Sequence, residues 1–391
     1  MRNRFDYYNK LNDRVRQPIF TICMLGRKIY VVTKAELISR ADRKHKSISY
    51  APIVSEFCSI TCGTSNEATK ILNHNLLGEH GNWGLCEEMV SGIRAALKPG
   101  KDLDNISLAM AQEVSCLLDA IKPDPGQGYS TIQLSAWVKQ IVTVATTNSV
   151  YGPHNPYKSQ EIKDAFWEFE GGLMLMLAAP FPSYTARKHI LARDKVTKAL
   201  EKYFAERHFD HGSKVAKARF DTSVRNKVAL PDIGRFEIGG TVAILTNTYP
   251  AVYWTLLLVY VAPGLLADLR AEIDAALIID PLKNNITIDI TVMKSRCPLL
   301  LSTLKESLRY RGMGVAVREV VEDTELGGYL LKKGAMLQVP IQVVHSDQAC
   351  WGEDAKSFNP RRFLKDDTVN GCCRLHSTAT RPHKSHRPIL S

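Results

Sequence analysis

The sequence lacks an apolar run near its first residue, a regular spacing of cysteines and any internal repeat. Residues 1–8 are polar, which predicts that no signal peptide or membrane anchor is present. The nine cysteines are odd in number and irregularly spaced, which argues against a secreted disulfide framework and favours free thiols in a reducing compartment. With 391 residues and 45% apolar content, the chain can bury a large core in one helix-rich domain or two.

The net charge of +11 comes from 51 basic and 40 acidic residues. An excess of this size is compatible with nucleic-acid binding. However, no basic stripe interleaved with aromatic residues is present, and we therefore expect no nucleic-acid partner. Four of the excess positive charges lie in a segment near the end of the chain that has no acidic residue: Arg374, Arg381, Lys384 and Arg387.

Residues 238–267 contain no charged side chain, a length sufficient to span a bilayer. Pro250 and the Pro263-Gly264 pair are awkward in lipid but acceptable in a long buried helix that bends at Pro250. We therefore predict a core helix here, with Thr248 facing a central cavity.

Hydrophobic periodicity predicts a fold that is mostly α with small β-sheet regions. A helix is expected to begin behind the capping box Ser130–Gln133 and to stop at Gly152-Pro153. The other predicted elements are a hairpin over 20–32, a capping box over 33–36, helices over 161–179 and 186–209, and an exposed connection over 207–232.

Glu306 and Arg309 stand three residues apart and therefore share one face of a helix. Such a pair is most often a solvated surface ion pair. Here, however, an ordered series follows it: Val317-Arg318, then a Lys332-Lys333-Gly334 turn, then the loop Phe358-Asn-Pro-Arg-Arg362-Phe363.

This series resembles the core of a cytochrome P450. The resemblance implies that Glu306, Arg309 and Arg362 form a buried charged triad behind the haem, a costly arrangement unless every charge is paired. Segments 145–156, 166–170 and 180–182 are similar to a fungal branch of the family near the sterol 7α-hydroxylases and prostacyclin synthases. The resemblance covers residues 5–365.

Two further positions gain a role from the resemblance. Asn247 and Thr248 stand where most P450s carry the acid–alcohol pair that delivers protons to bound dioxygen, and Thr248 keeps the hydroxyl. The alternative is an Asn/Thr/Pro cluster whose polar side chains bond helix carbonyls. Arg318 stands where a cation contacts a haem propionate; the alternative is an ordinary surface arginine on a strand.

The implied function is that of a haem-thiolate monooxygenase acting on an apolar substrate such as a terpenoid, a steroid or another secondary metabolite. The implied partner is NADPH-cytochrome P450 reductase. The implied location is the cytoplasmic face of the endoplasmic reticulum membrane.

The sequence departs from the family after Phe363. The motif Phe-x-x-Gly-x-x-x-Cys-x-Gly, whose cysteine is the thiolate ligand of the haem iron, does not occur. Cys372 and Cys373 are poor substitutes because no such loop surrounds them, and we predict no metal site. We expect an incomplete P450-like domain over 1–365, truncated before the haem-ligand motif, and a disordered, aberrant basic tail over 366–391. The alternatives to an active enzyme are a non-catalytic remnant and a haem-free protein that binds apolar ligands.

Overall fold

The structure is a computed structural model, and it describes residues 6–364 apart from positions 25, 82, 125, 127 and 281–284. Cys372, Cys373 and the predicted tail over 366–391 lie outside the described residues. In chain order the helices are α1 Asp6–Val15, α2 Ala35–Arg43, α3 Ala51–Phe57, α4 Asn66–Asn73, α5 Leu85–Ala96, α6 Lys101–Asp119, α7 Leu134–Tyr151, α8 Gln160–Gly171, α9 Leu173–Ala178, α10 Pro182–Thr185, α11 Arg187–Ala205, α12 Lys214–Arg225, α13 Leu230–Val261, α14 Leu265–Asp274, α15 Ile290–Arg296, α16 Pro298–Arg311, α17 Ile341–His345 and α18 Gln348–Trp351. The strands are β1 Ile19–Met24, β2 Arg27–Val32, β3 Ile48–Ser49, β4 Ile278–Asp280, β5 Asn285–Thr287, β6 Val315–Val320, β7 Thr324–Leu326, β8 Tyr329–Leu331 and β9 Met336–Pro340.

The fold class is the predicted one, mostly α with small sheets. The chain divides into two compact units. One unit comprises residues 1–48 and 254–391, and the other comprises residues 49–253. α13 contributes residues to both.

The first unit holds a five-stranded sheet in the order β1-β2-β9-β6-β3. β1 and β2 form the predicted antiparallel hairpin, β2 pairs in parallel with β9, and β9 pairs antiparallel with β6. The second half of β2, Ile-Tyr-Val-Val, is buried throughout, as expected for a β-branched and aromatic run inside a sheet. Tyr30 and Val32 of this strand join Ile38, Leu337 and Val339 in one apolar core.

The second unit is built from helices that pack in pairs, α8 on α11, α5 on α12 and α6 on α7. A buried polar network fixes α13 among them. Tyr151 Oη donates to Glu237 Oε1 at 2.7 Å, and Arg219 Nη1 donates to the same oxygen at 2.7 Å. A buried charge persists only when it is paired and hydrogen-bonded, and Glu237 meets both conditions.

Several predicted helix boundaries are wrong. The region 207–232 is not an exposed connection, because α12 lies within it. The buried stripe of α12 is made of small and polar residues, including Ala216, Arg219, Thr222 and Ser223, so no apolar period marks it. The predicted helix over 161–179 is divided into α8 and α9 at Gly171-Gly172.

Neither predicted capping box forms. α2 begins after Lys34, and Thr33 Oγ1 instead bonds the carbonyls of Gln17 and Pro18. α7 begins after Gln133, while Ser130 Oγ donates to the Lys122 carbonyl. In both cases the hydroxyl donates to a carbonyl outside the helix and does not accept from the first turn.

α13 runs for 32 residues and continues through Pro250. It is the one helix, among the described residues, that is long and apolar enough to cross a bilayer. The predicted core helix is less buried than expected, because only 17% of its most apolar 18-residue window is buried. Leu245 and Val259 are buried, whereas most residues between them are half-buried.

Candidate functional site: a buried Glu–Arg–Arg cluster

The structure brings Glu306, Arg309 and Arg362 together. Glu306 and Arg309 lie on one face of α16, and the arginine binds the carboxylate with two parallel bonds, Nε to Oε2 at 2.8 Å and Nη2 to Oε1 at 2.7 Å. Arg362 Nε donates to Glu306 Oε2 at 3.1 Å. Glu306 is 0% exposed and Arg309 4%, so this is not the solvated surface pair that the spacing alone allows.

The remaining donors of Arg309 bind backbone carbonyls in the segment that follows β9. Its Nη1 donates to the carbonyls of His345 and Ala355, both at 2.6 Å, and its Nη2 donates to that of Ser357 at 3.0 Å. A guanidinium presents five donors in a fixed fork. One arginine therefore fixes three points of an otherwise irregular segment relative to α16.

Arg362 closes the other side of the cluster. Its Nη1 donates to the Trp351 carbonyl at 2.9 Å and to Asp354 Oδ1 at 2.7 Å. Although burial alone would lower the pKa of Arg362, its bonds to Asp354 and Glu306 raise it. The same bond from Arg362 lowers the pKa of Asp354. The buried Glu306 and the exposed Asp354 therefore balance the two guanidinium groups, and each buried charge has a partner, as burial requires.

Three residues of the cluster were not predicted from the sequence: His345, Asp354 and Ser302. His345 is buried, and its Nδ1 donates to the Arg309 carbonyl at 3.0 Å. Ser302 Oγ donates to the Pro360 carbonyl at 2.6 Å and accepts from the Phe363 backbone N–H at 3.0 Å. The sequence offered one signal for Ser302: it lies four residues before Glu306, about one turn earlier on the same helix face.

Aromatic rings shield the cluster. The Arg309 guanidinium lies 5.3 Å from the centre of the Trp351 ring, a cation–π distance. Trp351 Nε1 donates to the Val344 carbonyl at 3.0 Å, and the Phe363 ring meets Trp351 edge-on at 5.9 Å. The ring contacts and hydrogen bonds therefore fix the geometry of the cluster.

The hydroxyl and amide predicted for oxygen chemistry bond their own helix. Thr248 Oγ1 donates to the Ile244 carbonyl at 2.6 Å, and Asn247 Nδ2 donates to the Ala243 carbonyl at 2.9 Å. Asn247 is exposed and Thr248 is half-buried. The Thr248 oxygen keeps its lone pairs as an acceptor, and its donor is occupied.

Arg318 lies on β6, opposite Leu337 of β9. Its guanidinium forms an ion pair with Asp42 of α2. The side chain is 30% exposed, and its role toward a haem propionate stays a prediction.

A family model described as Cytochrome P450 matches residues 1–386 of the chain. The chain therefore belongs to the cytochrome P450 family, and the predicted resemblance is confirmed.

The chain is similar to the Cytochrome P450 monooxygenase nodJ of Hypoxylon pulicicidum, with 31% identity over 366 residues that cover 92% of this chain and 69% of the relative. A Cytochrome P450 monooxygenase of Gibberella zeae is 26% identical over 396 residues, covering 98% of this chain and 72% of the relative. Cytochrome P450 7B1 of Mus musculus is 24% identical over 371 residues, covering 91% and 69%. The family implies haem as its cofactor and redox-partner reductases as its electron source.

Two of the described thiols lie in surroundings that keep them protonated. Burial and the neighbouring Glu87 raise the pKa of Cys86 to about 11. Burial and Glu272 raise the pKa of Cys297, whose Sγ bonds the Glu272 carbonyl and Met293 Sδ. A ligand thiol must be deprotonated, and the surroundings of Cys86 and Cys297 disfavour that form. No group of three or more His, Cys, Asp or Glu residues within the described ranges is arranged around a metal position.

Proposed function

We propose that this chain is the scaffold of a haem-thiolate monooxygenase that oxidises an apolar small molecule, and that the 391-residue chain lacks the ligand needed for turnover. The observation that carries the first half is the buried Glu306–Arg309–Arg362 cluster, whose donors fix the irregular segment that leads to Phe363. The observation that carries the second half is a sequence without Phe-x-x-Gly-x-x-x-Cys-x-Gly. A haem-thiolate enzyme depends on an anionic sulfur at the iron.

An apolar substrate is supported by α13. Its uncharged half presents aliphatic and aromatic side chains that are half-buried in this structure. Ligand pockets in proteins are lined mainly by such side chains with a few polar groups, and Thr248 is a polar group among them. A terpenoid, a steroid or another secondary metabolite has this character.

Further proposals concern the redox partner, the cellular location and the roles of three residues. NADPH-cytochrome P450 reductase would supply electrons, and the protein would work at the cytoplasmic face of the endoplasmic reticulum membrane. Arg318 is the proposed contact to a haem propionate, which would have to compete with Asp42 for the guanidinium. Asn247 and Thr248 are the proposed polar groups at the reacting centre.

A haem-free protein that binds apolar ligands is the second candidate. One observation supports it: Cys86 and Cys297, two of the described thiols, have pKa values raised above their ordinary range. In this case α13 would serve a binding pocket without oxygen chemistry.

Titration of the purified chain with haemin separates the two candidates. The chain is compared with a version in which residues 364–391 are replaced by a segment carrying Phe-x-x-Gly-x-x-x-Cys-x-Gly. We expect stoichiometric haem uptake by the second protein and weak uptake by the first, because only the second offers a thiolate. If both bind a fluorescent apolar probe but neither takes up haem, the binding protein is the better description.

A further inference from the structure

The last residue of α16 is an arginine without a counter-ion among the described residues. Arg311 is half-buried, and no carboxylate of the described ranges lies within ion-pair distance of it. Its Nε atom is shielded from solvent and has no hydrogen-bond partner. A buried donor without an acceptor keeps the full cost of its desolvation, so other contacts must hold this side chain in its place.

Two aromatic rings supply those contacts. The central carbon of the Arg311 guanidinium lies 4.3 Å from the centre of the Trp254 ring of α13 and 4.7 Å from the centre of the Tyr310 ring. Both distances are in the range of cation–π interactions. The Tyr310 ring in turn packs against Phe358, with ring centres 5.9 Å apart. A guanidinium that lies over ring faces keeps the terminal N–H groups of its own plane available for an acceptor.

The helix face that leads to Arg311 is apolar and exposed. Leu304, Leu308 and Arg311 follow one another at intervals of four and three residues, so they share one face of α16. Leu304 is 40% and Leu308 42% exposed. The buried Glu306 and Arg309 lie on the opposite face. We call Leu304, Leu308 and Arg311 the Arg311 face; it presents two leucine side chains followed by one positive charge.

We propose that the Arg311 face binds an apolar molecule that ends in a carboxylate, such as a long-chain acid. The hydrocarbon part covers Leu304 and Leu308, which removes apolar surface from water. The carboxylate accepts hydrogen bonds from the terminal N–H groups of Arg311, whose fork matches the two carboxylate oxygens. The unpaired cation selects an anion, and the two leucines beside it select an anion that carries an apolar chain.

This proposal adds a carboxylate to the apolar ligand of the proposed function, and it rests on that function for the assignment of the ligand as a substrate. Binding itself is expected of both candidates, the monooxygenase scaffold and the haem-free binding protein. The binding experiment therefore needs no haem.

The competing explanation is an ordinary surface arginine that packs its stem and guanidinium on apolar neighbours. It accounts for the ring contacts, and single exposed leucines are common on protein surfaces. It leaves Arg311 without a counter-ion, and it predicts no preference for an acid over a neutral molecule of the same chain length.

The test is calorimetric titration of the full chain at neutral pH with decanoate and, separately, with 1-decanol. We expect the parent to bind decanoate at least about tenfold more tightly than the alcohol, because hydrogen bonds between charged groups are the strong ones. Arg311→Gln should remove this preference. Arg296→Gln is the matched control, since Arg296 is an exposed arginine in the last turn of α15, and it should leave the preference unchanged.

A second pair of variants supplies the counter-ion from within the chain at an exposed position. Leu308→Asp places a carboxylate three residues before Arg311, where the two side chains can pair, and Leu308→Asn has nearly the same shape without the charge. We expect Leu308→Asp to bind decanoate at least about tenfold more weakly than Leu308→Asn, because the new carboxylate occupies Arg311 and repels the ligand.

Equal decanoate affinity in the parent and in Arg311→Gln would overturn the proposal. Equal affinity in the two Leu308 variants, or a parent that does not bind decanoate, would overturn it as well. Because the titration contains no haem, such a failure is separate from a failure of the proposed function, which the haemin titration tests.

Discussion

At the residue scale, Glu306 is the acceptor around which the cluster is built. Its two oxygens receive bonds from Arg309, from Arg362 and from the Asn359 backbone N–H at 2.9 Å. The spacing of Glu306 and Arg309 could be predicted from the sequence because it follows from helix geometry. The roles of His345 and Asp354 could not, because they depend on the path of an irregular segment.

Replacing Glu306 tests whether the cluster holds this unit together. Glu306→Ala leaves the buried Arg309 without its counter-ion, so the free energy of unfolding should fall by about 3–5 kcal/mol. The measurement is equilibrium unfolding in urea, with the exposed Glu353→Ala as a control expected to change it by less than about 0.5 kcal/mol. Equal, small effects in both variants would show that Glu306 is dispensable.

The contribution of Asp354 to the stability of the protein depends on pH in the acid range. Its hydrogen bond from Arg362 lowers its pKa in the folded state, so the folded state binds this proton less readily than the unfolded state. The stabilisation is complete above the unfolded pKa of about 3.9 and is lost as the pH falls through the lower folded value. Asp354→Asn should therefore destabilise the protein at neutral pH and flatten the acid side of its stability profile.

This prediction is tested by measuring the midpoint of urea unfolding at a series of pH values from neutral to acid. Asp119→Asn, an exposed site, is the control and should leave the profile unchanged. A profile for Asp354→Asn that runs parallel to the parent would contradict the assigned ion pair.

At the scale of elements, the end of α7 depends on one glycine. Gly152 has φ +72°, and a Cβ atom there would lie 2.4 Å from the His211 carbonyl oxygen. Gly264 has the same φ, but its ψ of −19° lies in the left-handed α region and the space around it is open. Gly152, with ψ −153°, lies in a region that essentially only glycine adopts, so it combines greater backbone strain with steric overlap.

Gly264→Ala should show backbone strain alone, about 1–2 kcal/mol for the left-handed conformation. Gly152→Ala should cost clearly more, because the methyl group also displaces the His211 backbone. Thermal unfolding of the two variants side by side makes the comparison. Equal losses would mean that the turn at His211 relaxes freely.

The sequence predicts some secondary-structure elements better than others. α7 has an apolar period and a glycine stop, so the sequence predicts its extent closely. α12 buries small and polar residues, including Arg219 paired with Glu237 on α13, and no local pattern reveals a partner that is distant in sequence. The half-buried state of α13 also lies beyond local sequence, because hydropathy measures composition and not what covers a surface.

At the scale of the whole molecule, family membership could be predicted because many weak motifs occur in the same order along the chain as in the family. The family match over residues 1–386 confirms this prediction. The substrate could not be predicted, because one fold supports many activities and the residues of the site determine specificity. The haem-ligand motif expected after Phe363 does not occur in the sequence. The proposed function rests on the claim that the scaffold is sound and that the sulfur ligand is missing.

The reduced, carbon monoxide-bound difference spectrum of the haem-reconstituted 391-residue chain tests this claim most directly. We predict no thiolate-type Soret band for this chain, and such a band once residues 364–391 are replaced by a segment with Phe-x-x-Gly-x-x-x-Cys-x-Gly. A thiolate-type band from the chain as it stands would contradict the account. Cys372→Ser and Cys373→Ser would then show which sulfur reaches the iron.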